Sequence, residues 1–141
     1  MPVRYDRFGI AFLYPVNWKE IPRDESEGNE GVTLELPNGG FFTLEREQHG
    51  QFADEIIEEV AESIEEDYGD IEREELKCPD TGIEQRAVEF RFYYLDLLIV
   101  SRLVVLHRNG ETLLVQMQAE SRNFDENELV FEALLKQIRE A

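Results

Sequence analysis

A chain of 141 residues that is 42% hydrophobic, with nine Phe, five Tyr and one Trp, can bury a core of its own and is not a disordered polymer. Its 32 Asp+Glu against 14 Lys+Arg leave a net charge of −18, a field that repels phosphate backbones and argues against nucleic-acid binding. One cysteine, Cys78, excludes an internal disulfide, and no stretch reaches the roughly 18 apolar residues of a membrane span.

The first strand is predicted over Gly9 to Tyr14, closed by Pro15, which cannot donate to a ladder. The apolar run to Val16 is broken by Tyr14-Pro15 and precedes no small-x-small site, so no secretory leader is expected and the location is read as cytoplasmic. Pro22 to Gly31, with four acids and two glycines, is an irregular loop too short to separate two domains, and residues 1–141 are read as one domain. Strands at Val32 to Leu36 and Phe41 to Glu45 flank Pro37-Asn38-Gly39-Gly40, a hairpin turn whose residues accept positive φ.

Phe52 to Tyr68 is predicted to be a helix. Phe52, Ile56, Val60, Ile64 and Tyr68 recur every four residues, with Ala53, Ile57 and Ala61 widening the stripe, and Gly69 is a stop. From Asp54 to Glu75 there are twelve acids and one base, Arg73. Like charges at i, i+4 (Asp54/Glu58, Glu55/Glu59, Glu58/Glu62, Glu62/Glu66) each cost the helix a few tenths of a kcal/mol, about 0.2–0.5. The acids therefore have either a solvating role or a use as a docking surface for a basic partner.

Four strands follow. Arg73 to Lys77 is short, and Arg86 to Tyr94 alternates, with Val88, Phe90, Phe92 and Tyr94 against Glu89, Arg91 and Tyr93. Leu97 to His107 is apolar on both faces and is expected to lie centrally, covered from both sides. After Asn109-Gly110, Leu113, Val115, Met117 and Ala119 form the inner face of the last strand. Phe124 to Arg139 closes the chain as a helix with the stripe Phe131, Leu134, Leu135 and Ile138, capped by Asn123 with Glu126 completing a capping-box-like pair. The order is β-β-β-α-β-β-β-β-α, an α+β protein with an antiparallel sheet.

Tyr14-Pro15-x-x-Trp18 after the first strand, the long amphipathic helix, the hairpin-rich sheet and Phe124…Phe131-x-x-Leu134-Leu135 together resemble the Mog1/PsbP-like family, including its DcrB-like bacterial branch. The resemblance implies an α-β-α sandwich around a twisted antiparallel sheet. Its members are binders of other macromolecules, among them a Ran GTPase binder, a photosystem subunit and secretion chaperones that cradle hydrophobic helices. It carries no catalytic site onto this chain.

Catalytic and metal chemistry find little footing. His49, His107 and Cys78 share no ligand spacing, and no Walker loop, G-x-G-x-x-G or G-x-S-x-G is present. Cys78, among Glu74, Glu75 and Asp80, reads as an inert thiol. The reading is a non-enzymatic protein-binding module, adaptor or chaperone-like, with no cofactor and no metal. Its expected partner-binding residues are Glu58, Glu62 and Glu66 on the acidic helix face, and Arg91 and Tyr93 on an aromatic, apolar sheet face beside Leu98, Val100, Val104 and Leu106. That face is either covered by a helix or open to a homodimer or a partner helix. Two other readings stand beside it: a small-molecule-binding or sensor domain, and a secretion-effector chaperone that binds hydrophobic helices. Trp18 is read as a buried core anchor.

Overall fold

A computed structural model describes residues 1–23 and 30–140; the irregular loop expected over Pro22 to Gly31 falls mostly outside them. Eleven elements follow in order among the described residues: β1 (Val3–Arg7), β2 (Ile10–Tyr14), β3 (Lys19–Ile21), β4 (Glu30–Glu35), β5 (Phe41–Arg46), α1 (Ala53–Tyr68), β6 (Glu72–Leu76), β7 (Glu84–Tyr94), β8 (Leu97–Arg108), β9 (Glu111–Glu120) and α2 (Ser121–Glu140). The predicted order is present, with β1 and β3 added. Both additions carry little apolar signal: Tyr5 is the one buried residue of β1, and all three residues of β3 are exposed.

Seven strands form one antiparallel sheet in the order β3-β4-β5-β9-β8-β7-β6, and β1 pairs with β2 in a separate hairpin. Pairing of β5 with β9, Phe42 opposite Met117 and Leu44 opposite Val115, joins an N-terminal meander to a C-terminal one. β8 sits inside the sheet between β9 and β7, and its two apolar faces are covered from opposite sides as its residues require. Leu103 and Val105 pack with Val88, Phe90 and Phe92 against Ile56, Ile57, Ala61 and Ile64 of α1. Val100, Val104 and Leu106 pack with Phe42, Leu113, Val115 and Met117 against Phe131, Leu134, Leu135 and Ile138 of α2. The result is an α-β-α sandwich.

The two layers are unequal. The β1–β2 hairpin lies in the α2 layer, where Tyr5, Ile10, Phe12 and Tyr14 join that core. Gln137 of α2 clips the edge of β2: its Oε1 accepts from Leu13 N at 2.8 Å and its Nε2 donates to Leu13 O at 3.3 Å. That contact closes backbone groups an edge strand would otherwise leave open. On the other face α1 lies over β7 and β8. Beyond it the sheet turns polar and half-exposed at Thr33, Thr43, Gln116 and Gln118.

Trp18 is 2% exposed, its ring 5.9 Å from Phe42, so the aromatic anchor expected from Tyr14-Pro15-x-x-Trp18 is in the core. The motif closes as a turn in which Trp18 N donates to Pro15 O at 3.0 Å. The start of α2 differs from expectation. The helix begins at Ser121, three residues before Phe124, and Asn123 is not its cap. Asn123 is buried within the first turn, where its Nδ2 donates to Pro37 O at 2.9 Å and Gly39 O at 2.6 Å. It clasps the β4–β5 turn instead. In that turn Gly40 (φ +90) is required, since a Cβ there would lie 2.6 Å from Gln118 O.

Candidate interaction surface

The apolar stripe of α1 fixes which way its acids point. With Ile56, Ile57, Ala61 and Ile64 turned to the sheet, the carboxylates of Glu55, Glu58, Glu59, Glu62, Glu65, Glu66 and Asp67 lie on the solvent side, all in exposed residues. Gly69, at φ +86, ends the helix and donates its N–H to Glu65 O at 2.9 Å. At the start, Glu55 Oε1 accepts from Phe52 N at 3.4 Å. Asp54 and Glu55 suit the positive end of the helix dipole, but Glu65, Glu66 and Asp67 crowd its negative end, which holds no base.

Two arginines from the sheet reach this helix. Arg73 of β6 donates to Glu58 Oε1 at 2.5 Å, and that hydrogen bond holds the Glu58 carboxyl below its ordinary range. Arg86 of β7 bonds Asp54 and grips both oxygens of Glu75 at 3.0 and 2.9 Å, lowering the Glu75 carboxyl in the same way. Among the described residues no cation pairs with Glu62, Glu65, Glu66 or Asp67. Of the three expected acidic docking residues, Glu58 is therefore half engaged within the fold, and Glu62 and Glu66 are open.

The sheet half of the expected site is arranged differently. Val100, Val104 and Leu106 are buried beneath α2, so no bare apolar sheet face exists there. The reason is the stripe of α2 itself, which has only this face on which to bury Phe131, Leu134, Leu135 and Ile138. Arg91 is bound to Glu74 at 3.0 Å and to Glu89. Glu89 is buried and its other oxygen takes Arg102 at 2.8 and 3.1 Å, while Arg102 continues to Glu128 (2.7 Å) and Glu132 (3.1 Å) of α2. Arg91 is thus one link in a charge chain running from β6 across the sheet to α2. Tyr93 is 67% exposed at the end of β7, beside the exposed Tyr94, Leu95 and Leu97 of the β7–β8 turn.

A half-open cleft of about 730 Å³ at the N-terminal end of α1 was not legible in the sequence. Arg46, Gln51, Asp54, Arg86, His107 and Glu111 line it, contributed by separate segments that no local motif unites. Its two arginines are paired with carboxylates of the same lining, Arg86 with Asp54 and Arg46 with Glu111 at 3.5 Å, and the His107 ring lies 3.1 Å from Thr112 Oγ1. Cys78 is half-buried, and burial pushes its thiol up, away from a reactive thiolate. Among the described residues no three His, Cys, Asp or Glu side chains converge as a metal site, and no helix is long and apolar enough to cross a membrane.

No protein-family model matches this chain, and no curated protein does. Solved structures match its fold. Cyanobacterial PsbP (CyanoP) from Synechocystis sp. PCC 6803 is similar at a TM-score of 0.67 and 14% identity, over 96% of this chain and 90% of that one. PA94 from Pseudomonas aeruginosa, a protein of unknown function and a suspected regulator, is similar at 0.56 and 13%, over 93% and 91%. The fold is PsbP-like.

Proposed function

We propose that this protein is a non-enzymatic binding module, one domain acting in the cytoplasm, that captures a basic protein segment on the acidic face of α1. The observation that carries the reading is the placement of Glu62, Glu65, Glu66 and Asp67. Glu65, Glu66 and Asp67 sit at the helix end where negative charge is least favourable to the fold, and all four lie beyond the reach of Arg73 and Arg86. A face of this sign speeds encounter with cations and orients them, and it repels nucleic acid and a second copy of itself. Tyr93 and Arg91 lie on the opposite face of the sheet from α1, where Arg91 is taken up by Glu74 and Glu89, so neither is part of this surface. Within the PsbP-like fold, Tyr14-Pro15-x-x-Trp18 supports the narrower proposal of a DcrB-like bacterial member. A chaperone cradling hydrophobic helices on the sheet is disfavoured, because α2 already occupies that face.

The test replaces Glu58, Glu62 and Glu66 by Lys and follows binding of a lysine-rich peptide by stopped-flow fluorescence at low and high salt. The variant should keep the circular dichroism of the parent and lose most of the salt-sensitive association rate. An unchanged rate removes the docking function. The cleft beside Arg46 and Arg86 favours one second reading, a site for a small polar ligand, since its volume of about 730 Å³ is within the range of such sites. Thermal-shift screening of small polar metabolites checks it, and no rise in the unfolding midpoint with any of them counts against it.

A further inference from the structure

The β7–β8 turn places an apolar cap on the end of the acidic helix. Tyr94, Leu95 and Leu97 are exposed there, Leu95 at 78%. Tyr68, in the last turn of α1, closes the group, with its ring stacked on buried Phe92 at 4.6 Å and edge-on to Tyr94 at 5.5 Å. Tyr94 and Leu97 stand opposite one another in register on the α1 side of the sheet. The patch is therefore anchored from below by Phe92 and continuous with the acidic helix.

The turn itself is built against backbone preference. Leu95 and Asp96 both have positive φ, 49° and 66°. At such positions the β4–β5 and β8–β9 turns use Asn38-Gly39 and Asn109-Gly110, residues that accept the left-handed region readily. Phe8 in the β1–β2 turn is also left-handed, but its ring receives the Arg46 guanidinium at 5.3 Å. Leu95 has no such use within the fold: its side chain stands in water in a conformation that leucine disfavours. A strained bulky residue held at the surface points to a contact made outside the chain.

The rim states the charge of that contact. Asp67 and Asp70 flank Tyr68, Asp96 lies in the turn, and Glu65 and Glu66 stand on the preceding helical turn. The cation of the adjoining strand on this face, Arg73, is held by Glu58. An apolar spot ringed by carboxylates is complementary to an amphipathic segment in which Lys or Arg flanks apolar side chains. The same ring opposes a second copy of this chain and an anionic lipid surface.

We infer that Tyr68, Tyr94, Leu95 and Leu97 seat the apolar side chains of a basic amphipathic peptide whose cations lie along α1. The inference rests on the docking function proposed above and assigns it a partner class. Charge then governs the association rate, and the cap governs the dissociation rate.

The experiment uses a fluorescently labelled synthetic Lys/Leu peptide with leucines at i, i+3, i+4 and i+7, measured by anisotropy and stopped flow against the whole protein. L95N and L95N/L97S should speed dissociation, L95N by roughly ten- to a hundredfold if the leucine is fully buried in the complex. The thermal midpoint of L95N should stay level or rise, because Asn accepts the turn. E62K/E66K should slow association and flatten its salt dependence. If the leucine variants dissociate at the parental rate while E62K/E66K still weakens binding, the cap is not the seat and only the docking function survives. If E62K/E66K binds like the parent, or the peptide does not bind, both fall. A parental dimer in sedimentation that L95N converts to monomer makes a second copy the occupant and overturns the inference. A clear drop in the L95N midpoint shows that Leu95 serves folding, and overturns it too.

Discussion

Trp18 and two asparagines show how single side chains tie distant parts of this fold together. The Trp18 indole N–H donates to Asn127 Oδ1 at 3.3 Å, and Asn127 Nδ2 donates to the backbone and side-chain oxygens of Asn123 at 2.8 and 3.0 Å. Asn123 in turn holds Pro37 O and Gly39 O. Trp18→Ala should lower stability by roughly 3–5 kcal/mol, because it opens a cavity against Phe42 and frees the Asn127 acceptor. Urea denaturation measures this, and a loss well under about 1 kcal/mol would mean that Trp18 anchors nothing. Asn123→Leu keeps the branched heavy-atom shape of the side chain but removes the clasp, and should cost about 1–3 kcal/mol in the same assay. Trp18 was legible because a lone tryptophan behind Tyr-Pro at a strand end has few places to go but the core. Asn123 was misread because Asn ahead of an apolar run is a local capping signal, whereas its real partners are in a turn more than eighty residues earlier.

At the level of elements, the stripes of both helices and the two-faced β8 were readable because each is a periodic pattern set by burial alone. Strand β3 was not, because a three-residue exposed edge has no period to detect. The β7–β8 turn was invisible as a turn type, since Leu95-Asp96 lacks the Asn-Gly signature that marked the other hairpins. The ionic chain joining β7, β8 and α2 is a tertiary product of Glu89 and Arg102, which alternate with apolar residues on facing strands. Arg102→Met leaves the buried Glu89 with only Arg91 on its other oxygen. It should cost roughly 3 kcal/mol, the low end for breaking a buried pair because that second arginine remains. The double variant Arg102→Met with Glu89→Leu should recover most of the loss, and denaturant midpoints of the two decide it. No recovery in the double variant would mean that the pair does more than neutralise itself.

For the whole molecule, −18 is the quantity that acts everywhere at once. Like charges along α1 and across the exposed acids repel one another in the folded state, and added salt screens them over a length of about 8 Å at physiological strength. Sodium chloride should therefore raise the thermal midpoint while it slows capture of a basic peptide, two effects of opposite sign from one cause. Calorimetry and association kinetics on the same samples check it. A midpoint that falls with salt would place the net electrostatic contribution on the favourable side. The PsbP-like architecture was legible at this scale, because layers follow from counting faces that need cover. The partner was not, because acids facing water look the same in a sequence whether they solvate or recruit.

The roof over one side of the sheet is α2, the element that follows every strand in the chain. A growing polypeptide emerging from the ribosome therefore presents the oily underside of β2, β5 and β9 with nothing above it until the final helix clears the exit tunnel. Trp18 waits through most of synthesis for the asparagine that will hold it. Premature release, or a stop codon ahead of Phe131, would yield a sticky half-sandwich destined for proteolysis rather than a slightly weakened protein.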